Sequence, residues 1–258
     1  MNDPKKVESM YIKKDTLSIR QNIHDKYSVN KYGWHNWVLE QYNLKKNINI
    51  IEFGCGTGST WIGKEKQIPE NVNIILTDIS PLMVERTKGN IDKKYGFSFK
   101  VMDIQDIPFE NEYFDIVIAN HMLYHVSDIK KSLSEVKRIL KKDGIFYATT
   151  IGKNHLKDLE DIYRIYEGII KFSYSSQFSF TLQNGEFLLK DFFGEISQKI
   201  YEDYLEVTAV DDIMDYITSY NHLPKEIYQE IYEIINKGIK NNGKFKIKKE
   251  SGIFVCNI

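Results

Sequence analysis

The chain has little cysteine, only Cys55 and Cys256. Two thiols supply neither a disulfide framework nor a Cys-rich metal centre. Proline is scarce too, at five residues, and no Pro-, Gly- or Ser-rich run marks a linker between domains. No apolar stretch approaches the roughly 18 residues of a membrane span. The first residues carry Lys and Asp where a signal peptide would be apolar. An excess of either charge is also missing. Lys plus Arg is 35 and Asp plus Glu is 36, for a net charge of −1. That balance argues against nucleic acid or an anionic membrane as the main partner. The expectation is a soluble, cytoplasmic protein, monomer or homodimer, acting on something small. What is present is 258 residues, 42% of them hydrophobic, long enough to bury a core without staples. At roughly 150 residues per domain this allows one large domain, or one with an elaborate cap. Aromatic content is high at 13%, with 17 Tyr and 14 Phe.

The middle of the chain alternates strand and helix signals. Asn49–Phe53 is a short apolar run ended by Gly54 and reads as a buried strand. Residues 59–67 read as the helix that follows it. Val72–Thr77 reads as a second strand, and 81–89 as a helix with Ser80 as N-cap and Pro81 in its first position. Phe97–Met102 and Phe114–Ala119 read as strands three and four. Asp128–Leu140 places apolar residues at helical spacing, with Gly144 as its stop. Ile145–Thr150 reads as a fifth strand. This is the α/β pattern of a parallel sheet with helices on both faces, whose ligand sits at the carboxyl ends of the strands. Beyond residue 151, 155–171, 184–193 and 211–242 read as largely helical, 196–208 as extended and 245–257 as a late strand. The acidic run 201–215 and the Lys-rich run 237–249 read as solvated faces.

The segment Glu52-Phe53-Gly54-Cys55-Gly56-Thr57-Gly58 lies where the first strand ends. Glycines there let the backbone turn tightly and let a ligand approach closely. Nicotinamide-binding folds use a related loop, but position 59 is Ser, not the third glycine of GxGxxG. Glu52 would also repel a pyrophosphate and suits a ligand bearing an ammonium or sulfonium. Asp78 ends the second strand, where it can accept both ribose hydroxyls. Asp103 ends the third, where it can accept from an adenine amino group with Ile104 against the ring. Each acid alone could merely cap the next helix. Three at successive strand tips beside a glycine loop call for a shared ligand.

At these residues the chain resembles the class I S-adenosylmethionine-dependent methyltransferases. EFGCGTG is similar to their first motif. The stretch Pro108-Phe109 and Tyr113–Val126, with Glu135–Gly144, resembles the quinone-biosynthesis-like small-molecule subgroup, with Lys142-Asp143 where that subgroup has Pro-Gly. The resemblance covers about residues 48–151. It implies a Rossmann-like, seven-stranded sheet of order 3-2-1-4-5-7-6 with the last strand antiparallel. It implies an N-terminal helical cap (1–45), a cofactor core (46–152), a lid and late-strand region (153–243) and a last strand (244–258). The implied cofactor is S-adenosyl-L-methionine. Glu52 and the backbone at Gly54 and Gly56 would hold its methionine part, Asp78 and Ile79 its ribose, and Asp103 and Ile104 its adenine, with Cys55, Gly58 and Met83 as further cofactor contacts. Asn120 would lie near the sulfonium. In this superfamily an N-terminal helix often closes over the cofactor; Tyr27 matches its tyrosine, and Arg20 could pair with the methionine carboxylate.

Methyl transfer from a sulfonium needs alignment above all, and a base only where the nucleophile must lose a proton. His121, Tyr124 and His125 follow strand four, near the expected methyl position, and are the catalytic candidates. Trp34 and Trp37 lie three apart on one helix face; His24 and His35 read as surface or capping residues. The later aromatics Tyr163, Tyr166, Phe172, Tyr174, Phe178, Phe180, Phe187, Phe192 and Phe193 read mostly as core, with a subset around Tyr174–Phe180 as pocket wall. The expected reaction is methylation of an O or N nucleophile on a small-molecule acceptor, without a metal. The alternatives are a methyltransferase acting on tRNA or protein, and a non-catalytic S-adenosylmethionine-binding protein. Against the first, Asn120-His121-Met122-Leu123 stands where base N-methylating enzymes often carry an Asn/Asp-Pro-Pro-aromatic motif.

Overall fold

Central to the fold is β1 (Asn49–Phe53), whose Ile50, Ile51 and Phe53 are all buried. The computed structural model describes residues 14–92, 95–166, 178–219 and 223–258. In it β1 is flanked by β2 (Asn73–Asp78) and β4 (Phe114–Asn120). β3 (Phe97–Val101), β5 (Leu140–Ile151), β6 (Glu195–Tyr201) and β9 (Ser251–Asn257) complete a seven-stranded sheet of order β3-β2-β1-β4-β5-β9-β6. β9 runs antiparallel to both its neighbours. The expected order holds, with the last strand of the chain wedged between β5 and β6.

Alternation divides the core. Ile51, Phe53, Val117, Ala119, Phe146 and Ala148 face one side; Ile50, Ile74, Leu76, Ile116, Ile118 and Tyr147 face the other. The first side is covered by α4 (Ile129–Ile139), which buries Leu133, Val136 and Ile139. Asp128 caps this helix by accepting from the Lys131 amide at 2.9 Å, a contact that stabilises by about 1 kcal/mol. The helix ends before Gly144. Leu140 turns extended, so Gly144 does not stop the helix but lies inside β5, where a Cβ would stand 2.7 Å from the Leu140 side chain. The second side is covered by α2 (Trp34–Gln41) and by α3 (Pro81–Asn90), with Ser80 as its N-cap as expected.

The helix expected over 59–67 does not form. Turns anchored on the Gly58 carbonyl carry the chain to a single 3-10 turn at Glu65–Gln67. Gly63, at φ +73°, breaks the helical path. Trp61 from this segment is fully buried beside Tyr42 and Phe97.

A third cluster lies apart from the sheet. It joins α1 (Lys14–Tyr27), α5 (Lys157–Arg164), α7 (Val210–Thr218) and α8 (Lys225–Asn242) with a two-stranded ribbon of β7 (Tyr204–Val207) and β8 (Phe245–Lys248). Residues 245–257, read as one strand, are thus two strands in two sheets. A short α6 (Gly185–Leu189) precedes β6.

Parallel register positions the site. Phe53 pairs with Thr77 on one side and Ala119 on the other. Gly54, Asp78 and Asn120 therefore leave the sheet side by side. The Met102 amide donates to the Asp78 carbonyl at 3.0 Å, bringing Asp103 to the same edge.

Candidate active site

Glu52 is 2% exposed and its carboxylate is shared by two donors. Trp61 Nε1 donates to one oxygen at 2.5 Å and Asn120 Nδ2 to the other at 2.9 Å. Burial pushes the Glu52 carboxyl above the usual range, and these two bonds oppose the rise. Asn120 is held in turn by Tyr42, which accepts from Asn120 Nδ2 at 2.9 Å, and by Thr149, whose hydroxyl donates to Asn120 Oδ1 at 3.2 Å. No sequence motif marks Tyr42, Trp61 and Thr149 as site residues. Each comes from a different segment, and only strand register and turn geometry bring them together.

Asp78 is also buried. Its two oxygens accept from the Gly56 amide at 3.0 Å and the Ser80 amide at 2.9 Å. Burial raises its pKa, opposed by the backbone amides of Ser80, Gly56 and Ile79. Gly56 sits at φ +56°, and a Cβ there would meet nothing within 4 Å. This is an open cradle beside a carboxylate with lone pairs to spare. Gly54 and Gly58 are different. Their Cβ atoms would strike Met122 at 2.7 Å and Ile91 at 2.8 Å. Cys55 is buried with its thiol 3.6 Å from Thr87 Oγ1, and burial pushes that thiol up. Met83 is buried in the first turn of α3 and Ile104 in the turn after β3, and Ile79 is half-buried. Asp103 is half-buried and accepts from the Gln105 amide at 2.9 Å.

Two expected cofactor contacts lie elsewhere. Arg20 donates to Ser219 through Nε at 3.0 Å and through Nη2 to its carbonyl at 2.7 Å. The Tyr27 hydroxyl donates to Asp212. Both side chains are directed at the α7 segment, because α1 packs into the third cluster instead of onto the glycine loop.

The residues after β4 bring a group of rings together. His121 is held at φ +49° by hydrogen bonds from its amide to the carbonyl and hydroxyl of Thr149. Its ring lies 5.1 Å from Trp34. Burial, helped by the charges of His155, His35, Lys249 and His125, lowers its pKa to about 3. Tyr124 and His125 sit on the 3-10 turn Leu123–His125, ring to ring at 4.6 Å, and burial lowers the His125 pKa. Phe178 stacks on Tyr124 at 4.6 Å. Phe172 and Tyr174 lie outside the described residues. Tyr163, Tyr166, Phe180 and Phe193 are core, whereas Phe187 is 68% exposed.

His24 and His35 are not surface residues. Both are half-buried deep in the fold, and burial lowers their pKa values, His24 to about 3. Burial lowers His155 to about 3 as well. The folded state thus holds His24, His121 and His155 neutral, while the unfolded chain takes up protons on them below about pH 6.5. Their contribution is fully present above pH 6.5 and is lost as pH falls from there towards 3. We expect the melting temperature to drop steadily between pH 6.5 and pH 5 by scanning calorimetry; a flat profile would contradict the buried-histidine assignment.

Among the described residues no His/Cys/Asp/Glu group is arranged to hold a metal, and no helix is long and apolar enough to cross a membrane.

A Rossmann-like sheet in this strand order, with a glycine loop and carboxylates at the tips of β1 and β2, defines a class I methyltransferase architecture. The chain belongs to the methyltransferase domain family, which matches residues 44–175. It is similar to the ubiquinone/menaquinone biosynthesis C-methyltransferase UbiE of Pectobacterium carotovorum, 26% identical over 139 residues, 52% of this chain and 54% of that protein. The chain thus spans about half the length of such relatives. Its fold matches YcgJ of Bacillus subtilis (TM-score 0.58, 17% identity, 86% of this chain and 97% of that one). It also matches Haemonchus contortus phosphoethanolamine N-methyltransferase 2 bound to phosphomonomethylethanolamine and S-adenosylhomocysteine (TM-score 0.61, 15% identity, 97% and 58%). The cofactor of this class is S-adenosyl-L-methionine.

Proposed function

We propose that the protein transfers a methyl group from S-adenosylmethionine to an O or N nucleophile of a small molecule. One observation carries this reading: buried Glu52 and Asp78 flank a positive-φ glycine whose Cβ direction is open. When bound, the cofactor supplies a methyl group on a sulfonium, an already activated leaving group. The chain's own residues supply the rest. Asp78 would take the ribose hydroxyls, Glu52 the ammonium, and Asp103 with Ile104 the adenine. Asn120, locked by Tyr42, Thr149 and Glu52, gives the β4 tip a fixed edge against which reactants align.

His121, with a pKa near 3, is a poor proton acceptor at neutral pH and serves better as a neutral hydrogen-bonding wall. His125 is the better candidate base. We expect His125→Ala to lower kcat while S-adenosylmethionine affinity stays within about twofold; equal loss in both would make the residue structural.

The C-methyltransferase relatives favour a second reading, with a carbon nucleophile as acceptor. The test for both uses methyl-labelled S-adenosylmethionine and a cell extract divided into small-molecule, protein and RNA fractions. Label in the small-molecule fraction supports the proposal, and the methylated atom separates carbon from heteroatom. Label confined to protein or RNA overturns it.

A further inference from the structure

Glu52 is a buried acid with no cation beside it. Among the described residues no lysine, arginine or histidine forms an ion pair with it. The titratable groups that face it are Asp78 at the tip of β2, the Cys55 thiol of the glycine loop and the Tyr42 hydroxyl just past α2. Asp78 is a second acid, and burial keeps the thiol and the phenol protonated. None of the three compensates a carboxylate. Only neutral donors do so, the Trp61 indole N–H on one oxygen and the Asn120 amide on the other. A buried charge held by neutral donors alone is costly. Were its purpose only to satisfy the indole N–H, a backbone carbonyl would serve at less cost.

Neither donor is free to turn away. Asn120 spends its second N–H on the Tyr42 hydroxyl at 2.9 Å, and its side-chain carbonyl accepts from the Thr149 hydroxyl at 3.2 Å. Trp61 is held by packing and by its backbone. Its ring lies 6.0 Å from that of Tyr42 and 5.8 Å from that of Phe97. Its amide donates to the Gly58 carbonyl at 2.9 Å, and its carbonyl accepts from the Lys64 amide at 2.9 Å. Two fixed donors, one on each oxygen, set the plane of the carboxylate. An ionised carboxylate has about four acceptor positions, so each oxygen keeps one for a ligand. A phenylalanine at position 61 could supply much of the packing, but not the N–H.

We propose that Trp61 is a positioning residue for the cofactor: its N–H, with the Asn120 amide opposite, holds the Glu52 carboxylate in place to receive the ammonium of S-adenosylmethionine. The inference rests on the methyl-transfer reading and adds to it a residue outside the glycine loop that acts through Glu52. Its consequence is a pH range. Recognition of an ammonium needs the carboxylate, which is present above its pKa and lost as pH falls through it. Burial raises the Glu52 pKa, and the Trp61 bond opposes that rise most. Without the bond the pKa climbs further, so recognition of the ammonium fails at a higher pH.

The test compares S-adenosylhomocysteine with its deamino analogue, which keeps the carboxylate, ribose and adenine and lacks the ammonium. Asp78, Cys55 and Tyr42 face both ligands alike, so the ratio of the two affinities reports on Glu52. Calorimetry of the whole protein from about pH 7 to about pH 5 measures that ratio. The wild type should prefer S-adenosylhomocysteine. Folded Trp61→Phe should lose about tenfold of the preference at pH 7 and more on acidification, with the deamino analogue bound within about twofold of wild type. Glu52→Gln should lose the preference too, and adding Trp61→Phe to Glu52→Gln should cost no more of it. If Trp61→Phe does not fold, the wild-type protein still decides. With nitrogen-15 in its three indoles, the Trp61 signal, identified with Trp34→Phe and Trp37→Phe, should move when S-adenosylhomocysteine binds and stay with the deamino analogue. Equal binding of the two ligands by the wild type, a preference unchanged in folded Trp61→Phe, equal weakening of both ligands, or an indole signal blind to the ammonium would overturn the inference. Neither ligand bound by the wild type would instead strike the methyl-transfer reading on which it stands.

Discussion

Asp78→Ala is expected to weaken S-adenosylmethionine binding by about a hundredfold. A hydrogen bond to a charged group is worth about 1.5–3 kcal/mol, and the Asp78 carboxylate has lone pairs for both ribose hydroxyls. The substitution has a second effect, because Asp78 also accepts from the Gly56 and Ser80 amides. Losing the first would relax the glycine loop. Asp78→Asn keeps one acceptor oxygen and the side-chain volume, so it should fall between wild type and alanine. Calorimetry of cofactor binding, with thermal unfolding measured on the same samples, separates the two effects. An affinity unchanged in a folded Asp78→Ala protein would contradict the ribose assignment.

Gly54 and Gly56 lie two residues apart and should respond to substitution in opposite ways. Gly54→Ala places a Cβ 2.7 Å from the Met122 Cβ at a φ of +67°. Left-handed strain costs about 1–2 kcal/mol and the overlap a similar amount, so the fold should lose about 3 kcal/mol. Gly56→Ala meets no protein atom and carries only the strain, about 1 kcal/mol. Its methyl group fills the cradle beside Asp78, so S-adenosylmethionine affinity should drop by an order of magnitude or more while the protein stays folded. Denaturant unfolding and cofactor titration of both variants check this. If both lose stability equally and Gly56→Ala binds normally, the open space at Gly56 is not the cofactor site.

The core was legible because its signals are local. Asn49–Phe53 and Phe114–Asn120 are apolar on both faces, as central parallel strands must be, and the glycine loop follows the first of them directly. Ser80 and Asp128 announce their helices by cap chemistry alone. The outer parts were legible only coarsely. Residues 59–67 carry no strong helix breaker except Gly63, and what overrides helix there is the burial of Trp61 against the sheet with its indole on Glu52. Lys249 and Asp203 look like solvated charges until the register of β9 and the β7–β8 ribbon brings them together. Arg20 and Tyr27 look like cofactor contacts until α1 packs against α7. No periodicity encodes such long-range pairings.

The β1–β2 edge is the proposed S-adenosylmethionine site. Titration calorimetry of the whole protein against S-adenosylmethionine and, separately, NAD addresses it most directly. The predicted result is saturable, stoichiometric heat with S-adenosylmethionine and none with NAD, because Glu52 repels a pyrophosphate and attracts an ammonium. Heat with NAD alone, or with neither ligand, would contradict it.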